Sequence, residues 1–141
     1  MAWFIRNAML LLILFSLYRI NICDTDEGTL LIKRRFVRVT NDLGGNLTLT
    51  VHCKSADDDI GVQVLPPHAS FGFNFRPSWI FSTQFYCSFQ WPNTFKWFDI
   101  YDNRRDAPHC SKCWWRIVPN GPCRFNWYDK TYEVCCQWNK D

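Results

Sequence analysis

Three groups of residues in this chain have types and spacings that could do chemistry. Cys110-Ser-Lys-Cys113, with His109 beside it and Cys123 downstream, has the spacing of a redox pair or of half a zinc site. A redox Cys-x-x-Cys gains its thiolate at a helix N-terminus, but here the strand-like Trp114-Trp-Arg-Ile-Val118 follows at once. Zinc would leave the remaining cysteines without evident partners, so bridges from Cys110 and Cys113 to other strands are the expectation. Asp57, Asp58 and Asp59 could hold calcium or work as hydrolytic carboxylates. Their spacing is not that of an EF-hand loop, which ends on a bidentate acid, and a tight turn with Asp side chains bonded to nearby backbone N–H groups fits better. His52, His68 and His109 are the only histidines, and no serine lies in a Gly-x-Ser-x-Gly elbow. No cofactor, metal or catalytic set is expected, and the chain reads as a non-enzyme.

The cysteines carry a different message. There are eight in 141 residues, a density that in an exported chain of this size signals a disulfide framework. Cys53, Cys87, Cys110, Cys113, Cys123, Cys135 and Cys136 are the candidates, and Cys23 stands at the edge of a leader. Adjacent Cys135 and Cys136 point to opposite faces if extended, so each is expected to pair elsewhere: one with Cys123, the other with Cys23 or with a second molecule. The leader is residues 1–22, with Arg6 at its start and an apolar run from Ala8 to Leu17. That run has the length of a signal h-region and is too short to span a bilayer. Without Arg6 and Arg19 the formal charge falls from +3 to +1, which argues against a nucleic-acid footprint. Lys33-Arg34-Arg35 is too short a run to change that. No second apolar stretch reaches spanning length, so no membrane insertion is expected once the leader is cut.

The elements that would position these residues repeat with period 2. Leu47, Leu49, Val51 and Cys53 alternate with polar residues, as do Phe71, Phe73 and Phe75, and Phe85, Cys87, Phe89 and Trp91. Thr94–Tyr101 is apolar on both faces and reads as a central strand. Phe36–Val39, Ile60–Leu65, Trp114–Val118, Arg124–Trp127 and Tyr132–Trp138 complete about nine short strands. Turn signals divide them at 41–45, 57–59, 66–67, 92–93, 102–103 and 120–122. The expectation is an all-β protein: one small disulfide-stabilised antiparallel β-sandwich over residues 23–141, immunoglobulin-like in architecture. Aromatics at 18% of the chain supply large buried areas to so small a core.

Two blocks carry a resemblance. The run Leu47-Thr-Leu-Thr-Val-His-Cys-Lys-Ser-Ala-Asp-Asp-Asp-Ile-Gly61 and the pattern Tyr86-Cys87-x-Phe89-x-Trp91 are specific together. Val37–Leu43, Phe98–Asp102, Cys110–Trp114 and Gly121–Phe125 extend them across about residues 36–127. The chain resembles the plant self-incompatibility proteins, the secreted stigma S-proteins and their homologues. The resemblance places Cys53, Cys87, Cys110 and Cys113 at family cysteine positions, with Cys123 matching many homologues. It implies a secreted protein ligand recognised by a cell-surface receptor, in the founding members one on pollen that is then rejected; a monomer is expected. The same fold could serve plant signalling or defence instead, and a secreted hydrolase built on Asp57–Asp59 is the reading from another class.

Candidate contact loops are Asn41–Asn46, Ser55–Ile60, Trp91–Thr94 and Asp102–His109. Arg104, Arg105 and Asp106 in the last would give charged specificity, and the resemblance makes the loop of Asp57, Asp58 and Asp59 part of the recognition surface. Asn46-Leu-Thr48 is the one glycosylation sequon.

Overall fold

An extended segment with one apolar face must lay that face on another apolar layer, and this chain does so in two sheets. The computed structural model describes residues 5–10, 34–78, 80 and 82–140. Residues 5–10 are helical, and the rest of the expected leader, with Cys23, lies outside the described residues. Nine strands follow: β1 (Arg35–Asn41), β2 (Leu49–Lys54), β3 (Asp59–Leu65), β4 (Ser70–Phe75), β5 (Gln84–Trp91), β6 (Thr94–Asp102), β7 (Lys112–Val118), β8 (Gly121–Asn126) and β9 (Thr131–Cys135). A four-residue helix, α1 (Asn103–Asp106), stands between β6 and β7. One sheet has the order β4-β1-β7-β8-β9 and the other β3-β2-β5-β6.

Two sequence expectations change here. The sandwich is not wholly antiparallel, because β1 and β7 pair in parallel, Val37 opposite Cys113 and Val39 opposite Trp115. These strands are far apart in sequence, which gives the chain room to cross over and return in the same direction. And β6, apolar on both faces, is an edge strand. Its outward Phe95 and Trp97 stay 50% and 41% exposed. Part of its free edge is covered by the C-terminal tail, where the Asn139 N–H donates to the Trp97 carbonyl at 2.9 Å.

Between the sheets the alternating residues meet. Val37, Val39, Trp115 and Ile117 face Leu49, Val51, Phe85, Phe89, Phe98 and Ile100, all buried. Aromatic pairs cross the gap, Phe98 against Trp115 at 5.1 Å and Phe75 against Tyr101 at 4.7 Å. Gly121 is required at the start of β8, since it has φ 150° and a side chain there would fall on the Cys136 carbonyl.

Among the described residues, the bridges whose two partners are both described do not join the layers. Cys53–Cys87 links β2 to its neighbour β5, and Cys123–Cys135 links β8 to its neighbour β9. Cys110 and Cys113, expected to reach other strands, are bonded to each other. The chain turns sharply after α1, with the Cys110 N–H donating to the Asp106 carbonyl, and brings their Cα atoms within 5.2 Å. Cys136 is also disulfide-bonded, and its side chain is buried where that of Cys135 is exposed, as alternation requires. The three described bridges therefore differ from the inter-sheet bridge of an immunoglobulin domain.

The layers are tied instead by a carboxylate. Asp106, fully buried, accepts from Arg105 of α1 through Nε at 2.9 Å and Nη2 at 2.7 Å, and from Nη1 of Arg124 on β8. It also accepts from the Asp102 backbone N–H at 2.9 Å. Both guanidinium groups pack on the Trp115 ring, at 5.1 Å and 5.8 Å. Burial holds Arg124 below its ordinary pKa, a shift that the Asp106 charge opposes. Replacing Asp106 by Asn should leave two buried guanidinium groups facing an uncharged amide, with a loss of about 3–5 kcal/mol in denaturant unfolding. Arg104→Gln, on the exposed side of the same helix, should change stability by no more than about 0.5 kcal/mol.

Candidate recognition surface

Strand register sorts the loops into two poles. Lys54 lies opposite Tyr86 and Gln84 opposite Asp102, so the β2–β3 loop, the residues just before β5 and α1 share one pole. The 42–48 loop, Pro66–Ala69, the Pro92-Asn93 turn and Asn120 lie at the other. The four loops expected to make contact are thus split: Ser55–Ile60 and Asp102–His109 at the first pole, Asn41–Asn46 and Trp91–Thr94 at the second.

At the first pole the acidic loop builds itself. Ser55 donates its backbone N–H to the Asp58 carbonyl at 2.8 Å, and its hydroxyl accepts from the Asp58 N–H at 3.0 Å. Asp59 Oδ1 accepts from the Gly61 N–H at 2.8 Å and is 2.7 Å from His52 Nε2. Lys54 Nζ is 4.0 Å from its other oxygen. The His52 hydrogen bond, followed by the Gly61 N–H, holds the Asp59 carboxyl below its ordinary value of 3.8. Asp57 and Asp58 are exposed and project from this frame.

The loop forms one wall of an open cleft of about 730 Å³. The opposite wall comes from Asn74–Arg76, Ser78 and Ser82–Phe85, residues to which the sequence assigned no role. Arg76 following Phe75 at the end of β4 was the available signal, because a charge just past an apolar strand marks a pole. The cleft therefore has the acidic loop along one wall and Arg76 along the other.

The remaining predicted residues are placed differently. Arg104 is exposed. Arg105 and Asp106, expected to give a surface loop its specificity, are buried at 5% and 0% exposure and belong to the core. Asp102 accepts from the Arg104 and Arg105 N–H groups and caps a helix that turns Asp106 inward. Asn46 is exposed at the second pole with φ 57°, and Thr48 of its sequon is also exposed. His52 stands opposite Ser88 across β2 and β5, but no hydrogen bond joins them, and its Nε2 is committed to Asp59. Among the described residues no three His, Cys, Asp or Glu side chains gather to hold a metal ion, and no helix is long and apolar enough to cross a membrane.

Fold and surface together define a small disulfide-clamped two-sheet protein that presents charged loops at its poles. The chain belongs to the plant self-incompatibility protein S1 family, whose family model matches residues 36–138. The match extends beyond the quoted motifs and takes in Cys135 and Cys136. It is 48% identical to S-protein homolog 3 of Arabidopsis thaliana over 109 residues, 74% of this chain and 73% of that protein. It is 34% identical to S-protein homolog 29 of the same plant over 134 residues, 95% and 99% of the two chains. A solved self-incompatibility protein homologue shares the fold at a TM-score of 0.55 and 19% identity, over 77% of this chain and 97% of that one. That protein's family is described as small, highly stable, secreted proteins from plants.

The Asp59 pairing has a pH signature. A depressed carboxyl pKa adds stability to the folded loop that is complete above 3.8 and is lost as pH falls through the lower folded value. An NMR titration of the Gly61 amide should therefore show a transition below 3.8 in the parent protein and none in Asp59→Asn. Identical titrations in the two would show that the carboxyl is not what holds the loop.

Proposed function

We propose that this chain is a secreted extracellular ligand that a cell-surface receptor recognises at the pole carrying Asp57 and Asp58. The observation that carries this reading is the division of labour in the acidic loop. Ser55 and Asp59 use their polar groups to fix the backbone, which leaves two carboxylates free beside a cleft that Arg76 borders. A rigid frame with projecting charges lowers the ordering cost of binding and lets charge set specificity. The chemistry is complementarity and needs no catalytic step.

Secretion is supported by three observations. The apolar run after Arg6 has signal-peptide layout, and Ile5, Met9 and Leu10 of the helical residues are exposed. The oxidised cysteines fit an oxidising compartment. The solved relative's family is described as secreted. Rejection of self pollen is the role the family's founding members suggest; signalling or defence is the alternative, and tissue decides between them.

Refolded protein should capture a receptor from pollen membranes, and Asp57→Asn with Asp58→Asn should weaken capture about tenfold. Capture from vegetative membranes alone would favour the second role, and capture indifferent to both substitutions would remove the acidic pole from the account. The secreted protein should also lose mass on treatment with an N-glycosidase, and Thr48→Ala should abolish that loss.

A further inference from the structure

The outward face of the five-stranded sheet carries a layer of rings and cations that neither the core nor the acidic pole uses. Across the parallel pair, Phe36 stands beside Lys112, Arg38 beside Trp114 and Thr40 beside Arg116, so that rings and cations alternate. The Arg38 guanidinium lies 3.7 Å over the Trp114 ring and donates to the Tyr132 hydroxyl at 3.4 Å. Arg116 lies 5.5 Å over Tyr132 and Lys130 5.1 Å over Trp127. The rings continue as a sheet-wide layer, Trp114 to Trp127 at 4.5 Å, Phe125 to Trp127 at 4.9 Å and Phe125 to Tyr132 at 5.0 Å. At its β4 side the layer lies low because residue 72 is glycine, where any side chain would run into the Phe36 ring.

The charge of this face is one-sided. Strands β1, β7 and β8 contain no Asp or Glu, and Arg38, Lys112 and Arg116 point outward from them. The carboxylates near it lie at its rim: Asp42, just past β1 and 3.3 Å from Arg116, Asp129, beside Lys130 in the turn after β8 and 3.1 Å from the Asn126 amide, and Glu133 on the edge strand β9. Nε of Arg38 and Arg116 and Nε1 of Trp114 are buried within the layer without a hydrogen-bond partner. A matching ligand brings negative charge to the outward cations, with acceptor oxygens, and flat apolar faces to the rings.

We propose that this face binds a linear uronate polysaccharide. Its carboxylates meet Arg38, Lys112, Arg116 and Lys130, and the C–H faces of its pyranose rings lie on the exposed parts of the aromatic layer. An acidic protein would match the charge, but tight protein interfaces seat anchor residues in pockets. Two clefts of the described residues, at the acidic pole and beside Asp99, Arg105 and Cys136, lie away from this face. The proposal does not rest on the receptor reading, which uses the acidic pole.

Affinity electrophoresis of the whole folded protein in gels containing polygalacturonate tests it, with fully methyl-esterified polymer and polyglutamate as comparisons. Polygalacturonate should retard the protein, and retardation should weaken steeply with salt as counterion release requires. Lys112→Gln with Lys130→Gln, both exposed and outside the core, should weaken binding by roughly tenfold, and adding Arg38→Gln should abolish it. Asp57→Asn with Asp58→Asn should leave it unchanged, which separates this site from the receptor reading. Equal retardation by the esterified polymer, or no effect of the lysine pair, overturns the proposal. Equal retardation by polyglutamate also overturns it, because an acidic protein would then suffice.

Discussion

The structure turns on the Asp106 carboxylate. It is the point where the short helix after β6, which belongs with the four-stranded sheet, grips Arg124 on β8 of the five-stranded sheet. One anion between two guanidinium groups leaves a buried excess of positive charge, and two features offset it. The Trp115 ring faces both cations, and carbonyl groups take up further N–H donors, as Asp99 does for Arg105 at 2.6 Å. A buried ion cluster of this kind is weak evidence for stability in itself but strongly constrains which arrangement can form, because any other leaves charges unpaired. Tyr101 lies in the same region, its hydroxyl donating to Asn103, and burial pushes its pKa up to about 12.

With that joint in place, the bridges between neighbouring strands can remain within their sheets. Cys53–Cys87 and Cys123–Cys135 reinforce pairs that hydrogen bonds already hold and close loops in the unfolded chain. Registration between layers is left to apolar packing and to Asp106. The joint lies in α1 and β8, so the acidic loop, the 42–48 loop and the outward rows of β1 and β7 take no part in it. The acidic loop, the sequon and the ring-and-cation layer therefore occupy three separate regions, and each can bind or be modified without disturbing the others.

Much of this architecture could be read in advance. All nine expected strands exist, because alternation of apolar and polar side chains is a local property of an extended backbone. The acidic loop was legible as a turn, since Ser and Asp side chains satisfy nearby N–H groups over a few residues. Where the reading failed, the deciding partner was distant in sequence. Thr94–Tyr101 looked central because both faces are apolar, yet its outer face simply stays exposed at an edge. Arg105 and Asp106 looked like loop residues because charged residues are seldom fully buried unless paired, and their partner Arg124 could not be identified from spacing.

By itself the amino-acid order determined the strand set, the leader-like start, the oxidised character of the cysteines and membership in a family. Each follows from composition or from spacing within a few residues. Only the tertiary structure decided which cysteines bond, which of six candidate charges are buried, which loops share a pole and which outward rows become one cationic aromatic face. Those outcomes depend on which strand lies beside which, and strand pairing brings together residues whose separation along the chain carries no record of their contact.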